Sequence, residues 1–140
     1  MDEDRSLLGE GHYPQTGPLA VIARVGFLVC ALAIVAAVIL PPDITPHFAR
    51  SRYLEHFAAY YVAALFGLAA LPDRRIRHIA IGYIAFASVL EPTHLVAGAP
   101  GLPVLQNWVA DLGGLAAACA PVVFERFRRR FLPRAGQSIA

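Results

Sequence analysis

An all-α integral membrane bundle of four transmembrane helices, with both termini cytoplasmic, is the fold this sequence predicts. Three observations carry that expectation. The 140 residues are 57% hydrophobic, with a mean hydropathy of +0.54. The apolar residues fall into four long runs, more than so short a chain can bury by folding on itself. All twelve cations are arginine, and they cluster where the runs end. The lipid bilayer is the natural solvent for such runs and the first partner implied. Arginines at membrane-flanking positions read as topology, and no basic–aromatic pattern points to nucleic acid.

The first run is Leu19–Leu40, opened by Pro18 and interrupted only by Arg24. At 1.5 Å per residue it spans about 33 Å, enough to cross a bilayer. Pro41-Pro42 ends it. Its apolar core is longer than that of a signal peptide and its leading residues are acidic, so a retained helix is expected. The second run extends from about Tyr53 to Leu71 and stops at Pro72-Asp73. The third extends from about Ile76 to Glu91, where Pro92 bends or ends it, and the stems of Arg75 and Arg77 snorkel to one surface. Residues Glu91 to Gln106 hold Pro92, Pro100, Pro103, Gly98 and Gly101, which predicts a loop. The fourth run extends from about Asn107 to Phe124 and gives way to the basic run Arg126–Arg130. The domain reading is a polar cytoplasmic tail over 1–18, a four-helix transmembrane domain over 19–125 and a basic cytoplasmic tail over 126–140.

Four spans place both tails and the middle loop on one side. That side holds ten of the twelve arginines, leaving only Arg50 and Arg52 on the other. The arginine-rich side is expected to be cytoplasmic, in a multi-pass protein of the bacterial inner membrane. The start of the second helix, the end of the third and the start of the fourth then share the opposite, extracytoplasmic face. Glu55, His56, Glu91, His94, Asn107 and Asp111 lie there. A carboxylate in or near hydrocarbon is expensive and marks a functional site by default, so these six are the candidate ligand-binding residues.

Helical phase strengthens the set. Steps of four from Glu55 reach Ala59, Ala63 and Gly67, a small-residue stripe that lets membrane helices approach closely. Asn107, Asp111, Gly114 and Ala118 share a face of the fourth helix, and Glu91 continues the face of Ala80, Ala87 and Ser88. Taken singly, each polar residue is an ordinary interfacial group; a shared leaflet and shared small-residue faces argue for convergence. Arg50 or Arg52 would offset part of the charge. No catalytic residue, cofactor or metal is expected. Glu91-x-x-His94 has the spacing of half a di-iron motif, but the second half is missing, and Ser51 and Ser88 lack a nucleophile-elbow context. His12, His47 and His78 read as solvated surface residues, Cys30 and Cys119 as buried packing residues, and Tyr53, Tyr60 and Trp108 as interfacial anchors.

The polar positions resemble those of the VanZ-like family of small bacterial membrane proteins, named for a teicoplanin-resistance gene product. His56-Phe57-Ala58-Ala59-Tyr60 is similar to the family's His-Phe-x-x-Tyr, with Arg52-Tyr53 in place of its Asp-Lys. Glu91-Pro92-Thr93-His94 stands where the family has Glu-x-x-Gln, and Pro100-Gly101-Leu102 where it has Pro-Gly-Arg. Asn107 and Asp111, followed by Gly114, stand where it has Asp-x-x-x-Asn-x-x-Gly. The resemblance covers about Arg50 to Pro121. It implies a role at the cell envelope, with a lipid-linked or glycopeptide ligand or a polar headgroup bound on the outer face through charge-assisted hydrogen bonds. Two other readings stand beside it: an accessory subunit docked through its helices onto a larger membrane complex, and a membrane-embedded enzyme acting on lipids.

Overall fold

The computed structural model describes residues 17–40, 44, 48–72, 74–96 and 101–131, without the side chain of His94. The predicted N-terminal tail up to residue 16, the Pro41-Pro42 stop, His12, His47 and residues 132–140 lie outside the described residues. Within them the chain is all-helical: α1 (Pro18–Ile39), α2 (Arg52–Ala70), α3 (Ile76–Val96) and α4 (Gly101–Arg129). Two of these, α1 and α4, are long and apolar enough to cross a membrane.

Proline sets several of the helix boundaries. Pro18 opens α1 where its missing N–H costs nothing. Leu40, the residue before Pro41, leaves the helix for extended backbone at φ −72° and ψ 145°, and its amide still donates to the Ala36 carbonyl at 2.8 Å. α2 ends at Ala70, two residues before Pro72.

In two places proline does not stop a helix. α3 runs through Pro92 to Val96, past its expected end near Glu91. α4 begins at Gly101, six residues ahead of the expected Asn107, because Pro103 falls in the first turn, where no intrahelical N–H is required. The expected loop from Glu91 to Gln106 is therefore mostly helix, with only residues 97–100 outside the description. At its far end α4 carries Arg126, Arg128 and Arg129 in the last turn, favourably placed against the helix dipole. Arg128 and Arg129 pair with Glu125 at 3.0 and 2.7 Å; such exposed pairs contribute little.

α2 is the centre of the bundle. It packs most extensively on α4 and also meets α1 and α3, and α3 in turn packs on α4. The core is built from small residues and two tyrosines: Tyr60, Ala63 and Ala64 of α2, Ile79, Tyr83 and Ala87 of α3, and Leu115 and Ala118 of α4. Tyr60 and Tyr83 meet edge-to-face at 6.3 Å, and Phe27 of α1 adds an edge at 6.5 Å from Tyr83. The Tyr83 hydroxyl donates to the Ala63 carbonyl, so its one polar atom is satisfied. Tyr60 is only 4% exposed and is a core residue, not the interfacial anchor expected. Cys30 and Cys119 are free thiols, half-buried against this core.

The α2–α4 seam depends on Gly114. A Cβ at that position would run into the Phe57 carbonyl oxygen and the Tyr61 amide nitrogen, both backbone atoms that cannot rotate away. Gly114→Ala is therefore expected to force the two helices apart and lower stability by about 1–3 kcal/mol, the range for overpacking. Gly82, whose added Cβ would meet nothing within 4 Å, is the control. Gly82→Ala should be neutral or stabilising by up to about 1 kcal/mol through helix propensity. Thermal unfolding of the purified protein in detergent measures both; equal effects of the two substitutions would refute the seam.

Candidate functional site

Three helices deliver polar side chains to one end of the bundle, each in phase with its own buried stripe. On α2, His56 lies one turn before Tyr60, which is followed by the buried Ala63, Ala64 and Gly67. On α3, Ile79, Tyr83, Ala87 and Glu91 recur every four residues, and all four are buried. On α4, Val104, Asn107, Asp111, Gly114 and Ala118 form the buried face. Each stripe is apolar or small along most of its length and turns polar at the same end.

The stripes meet tightly. His56 Nδ1 lies 3.0 Å from Asp111 Oδ1 and 3.4 Å from Glu91 Oε1. The Asn107 side chain interacts with Glu91. Asp111 has no exposed surface and is the largest fully buried side chain among the described residues, while Glu91 and Asn107 are each 3% exposed. The His56 side chain keeps 20% of its surface, so it is the member nearest the outside. Both of its neighbours are carboxyl oxygens, so a proton on Nδ1 is the tautomer that makes a hydrogen bond.

Gly114 explains the convergence. It brings the α4 backbone against the Phe57 carbonyl; His56 is the residue before Phe57, and Asp111 is one turn before Gly114. The close approach that removes a Cβ from the seam therefore seats the imidazole on the carboxylate. Two hydrogen bonds bracket the result. Tyr53 Oη donates to Gln106 Oε1 at 2.5 Å, tying α2 to α4, and Trp108 Nε1 donates to Ser88 Oγ at 3.1 Å, tying α4 to α3. Gln106 was not singled out from sequence, and Ser88 was read only as part of the Glu91 face, not as a hydrogen-bond partner. Their signal is adjacency, one beside Asn107 and the other one turn before Glu91.

Of the six candidates, the structure brings together His56, Glu91, Asn107 and Asp111. Glu55 is not among them. Its Oε1 accepts from the backbone amides of Phe48 and Ala49 at 2.8 and 2.9 Å, fastening the incoming chain to the start of α2. The reason is angular: His56, not Glu55, is in register with Tyr60, and the neighbouring position turns toward the helix entry. The side chain of His94 lies outside the described residues.

The cluster is under-satisfied as well as buried. Glu91 Oε2, Asn107 Oδ1 and Asp111 Oδ2 have no hydrogen-bond partner. Buried polar atoms are almost always paired, so three orphans in one place call for an explanation, and a bound ligand or ion is one. His56, Glu91 and Asp111 each offer one donor atom, all within 4.8 Å of one another. The arrangement suits gripping a small cationic or hydrogen-bond-donating group. A nucleophile with an adjacent base is absent among the described residues of this cluster.

Breaking the His56–Asp111 contact on one side only is expected to destabilise the bundle measurably. Removing the imidazole in His56→Ala leaves two buried carboxyls facing each other without a donor and should cost about 1–3 kcal/mol, the range for stranding a buried polar group. Glu55→Gln, which keeps an acceptor oxygen for the Phe48 and Ala49 amides, should cost less. Chemical or thermal unfolding of both variants in detergent measures this, and a larger loss for Glu55→Gln would contradict the assignment.

Comparison with known proteins returns no match for this chain among family models, curated proteins or solved structures.

Proposed function

We propose that this chain is a small multi-pass protein of the bacterial inner membrane, with four spans and both termini cytoplasmic, that binds a polar ligand or headgroup at the extracytoplasmic end of its bundle. The observation that carries the proposal is the cluster in which His56 meets the buried, under-satisfied Glu91, Asn107 and Asp111. Desolvated carboxylates are costly to hold in a fold, and a set drawn from three helices is difficult to explain as incidental surface charge.

Membrane residence is supported by the outer surface of α1. Val21, Ile22, Val25, Leu28, Val29 and Leu32 are all more than half exposed, and its apolar window, with mean hydropathy 2.6, is only 11% buried. Water is a poor solvent for such a face and lipid a good one. The arginine distribution supplies the orientation, and with it the cluster faces outward.

The layout also supports the VanZ-like reading. Of the positions that carry the resemblance, His56, Glu91, Asn107 and Asp111 come together from α2, α3 and α4. The ligand then falls in the class of lipid-linked or glycopeptide headgroups, gripped by charge-assisted hydrogen bonds. The exposed face of α1 is the one feature that favours an accessory subunit docked on a larger complex. A lipid annulus accounts for the same face, so the ligand-site reading is adopted.

The test is teicoplanin sensitivity in a Gram-positive host expressing the chain. Wild type should raise the inhibitory concentration several-fold, while Glu91→Gln and Asp111→Asn, at matched abundance in the membrane fraction, should abolish the gain. Full protection by both variants would show that the cluster is not the site. No gain from wild type would sink the envelope role.

A further inference from the structure

We propose that the His56–Glu91–Asp111 cluster is a divalent metal site, with a first-row transition ion such as zinc or manganese as its occupant. The inference deepens, and rests on, the reading of this cluster as a ligand site; it replaces the expectation from sequence that no metal is bound.

Three independent features of the cluster support it. The first is geometry. Bonds of about 2.1 Å to nitrogen and oxygen place neighbouring ligand atoms about 3.0 Å apart in an octahedral shell and about 3.4 Å apart in a tetrahedral one. The separations from His56 Nδ1 are 3.0 Å to Asp111 Oδ1 and 3.4 Å to Glu91 Oε1, and the three residues each offer a ligand atom within 4.8 Å of the others, so small side-chain shifts would let one ion bridge them.

The second is satisfaction. A hydrogen bond from His56 serves Asp111 Oδ1 but leaves Glu91 Oε2, Asp111 Oδ2 and Asn107 Oδ1 without partners, on residues no more than 3% exposed. An ion held between the carboxyls can engage oxygens of both. Asn107 lies one helical turn from Asp111 on the same buried face, which offers its carbonyl as a further donor.

The third is charge. As metal ligands, two carboxylates and one imidazole would bring two negative charges, which one divalent cation balances. A single imidazolium would balance only one. The donor chemistry narrows the ion: imidazole with carboxylate and carbonyl oxygens, and no thiolate, suits zinc, manganese or ferrous iron better than copper(I). The all-oxygen, six- to eight-fold shell of calcium does not fit a site led by a histidine. His56, the partly exposed member, marks the side from which the ion and a further ligand enter. A lipid or glycopeptide phosphate or carboxylate bound there would complete the coordination.

The experiment uses the full chain purified in mild detergent, stripped with a chelator and titrated with zinc and, separately, manganese by calorimetry, with bound metal counted by elemental analysis. The proposal expects one equivalent per chain of at least one of the two ions, a rise in melting temperature on binding, and affinity weakened at least about tenfold in His56→Ala and Asp111→Asn. His78→Ala, at an exposed histidine on α3, should bind as wild type does. Glu91→Gln serves if Asp111→Asn does not fold, with helix content checked by circular dichroism. No saturable binding by wild type, or equal binding by the cluster variants, overturns the metal site. If wild type takes up no metal while the cluster variants still lose teicoplanin protection, the metal is wrong and the polar-ligand site stands. Metal bound through His56 without any protection supports the metal site and removes the envelope role.

Discussion

The close approach of α2 and α4 at Gly114 is the constraint on which the rest of this structure depends. It brings a helix backbone against a helix backbone, with the Phe57 carbonyl over a residue that has no Cβ. That contact sets the depth at which Asp111 is enclosed and the distance at which His56 meets it. α3 is then recruited by the same face of α4 and carries Glu91 into the gap. α1 adds a single aromatic edge to the core through Phe27 and otherwise leaves its apolar surface outward.

Stability and function pull in opposite directions at this end of the bundle. Away from His56 the stripes are small or apolar residues and two tyrosines, which pack against one another. The end nearest His56 exchanges that packing for two carboxyls and an amide, each with one oxygen left without a partner. A buried ion pair is often no better than an apolar replacement of the same size, so the cluster is poorly explained as a stabilising device. A bound cation would convert the same atoms from a cost into a source of binding energy. It would also give the site a reason to sit at a junction of three helices, where donors from different directions can be held rigidly.

Much of this was legible in the sequence, and the failures have physical causes. The apolar runs place all four helices, because each run is long enough to form one and turn residues separate them. The face shared by Asn107, Asp111, Gly114 and Ala118 is read correctly from spacing, and all four residues are buried. Proline counting misjudges α3 and α4, since Pro103 lies in a first turn and Pro92 is carried within a continuing helix. Glu55 shows the limit of phase arguments near a helix start: one residue of offset, about 100°, decides between the core and the helix entry, and two free amides at Phe48 and Ala49 draw the carboxylate away. Tyr60 reads as an interfacial anchor on composition alone and is core because it lies in register with His56. The three-way meeting of His56, Glu91 and Asp111 is a property of helix packing, and only the packed structure gives its distances.

The central claim is that His56 and the buried Asp111 form one unit in direct contact. A double-mutant cycle measures this most directly: unfolding free energies of wild type, His56→Ala, Asp111→Ala and the double variant in one detergent. Direct contact predicts a coupling of about 0.5–3 kcal/mol, with the second substitution costing much less once the first is in place. Additive losses, with no coupling beyond about 0.3 kcal/mol, would contradict it.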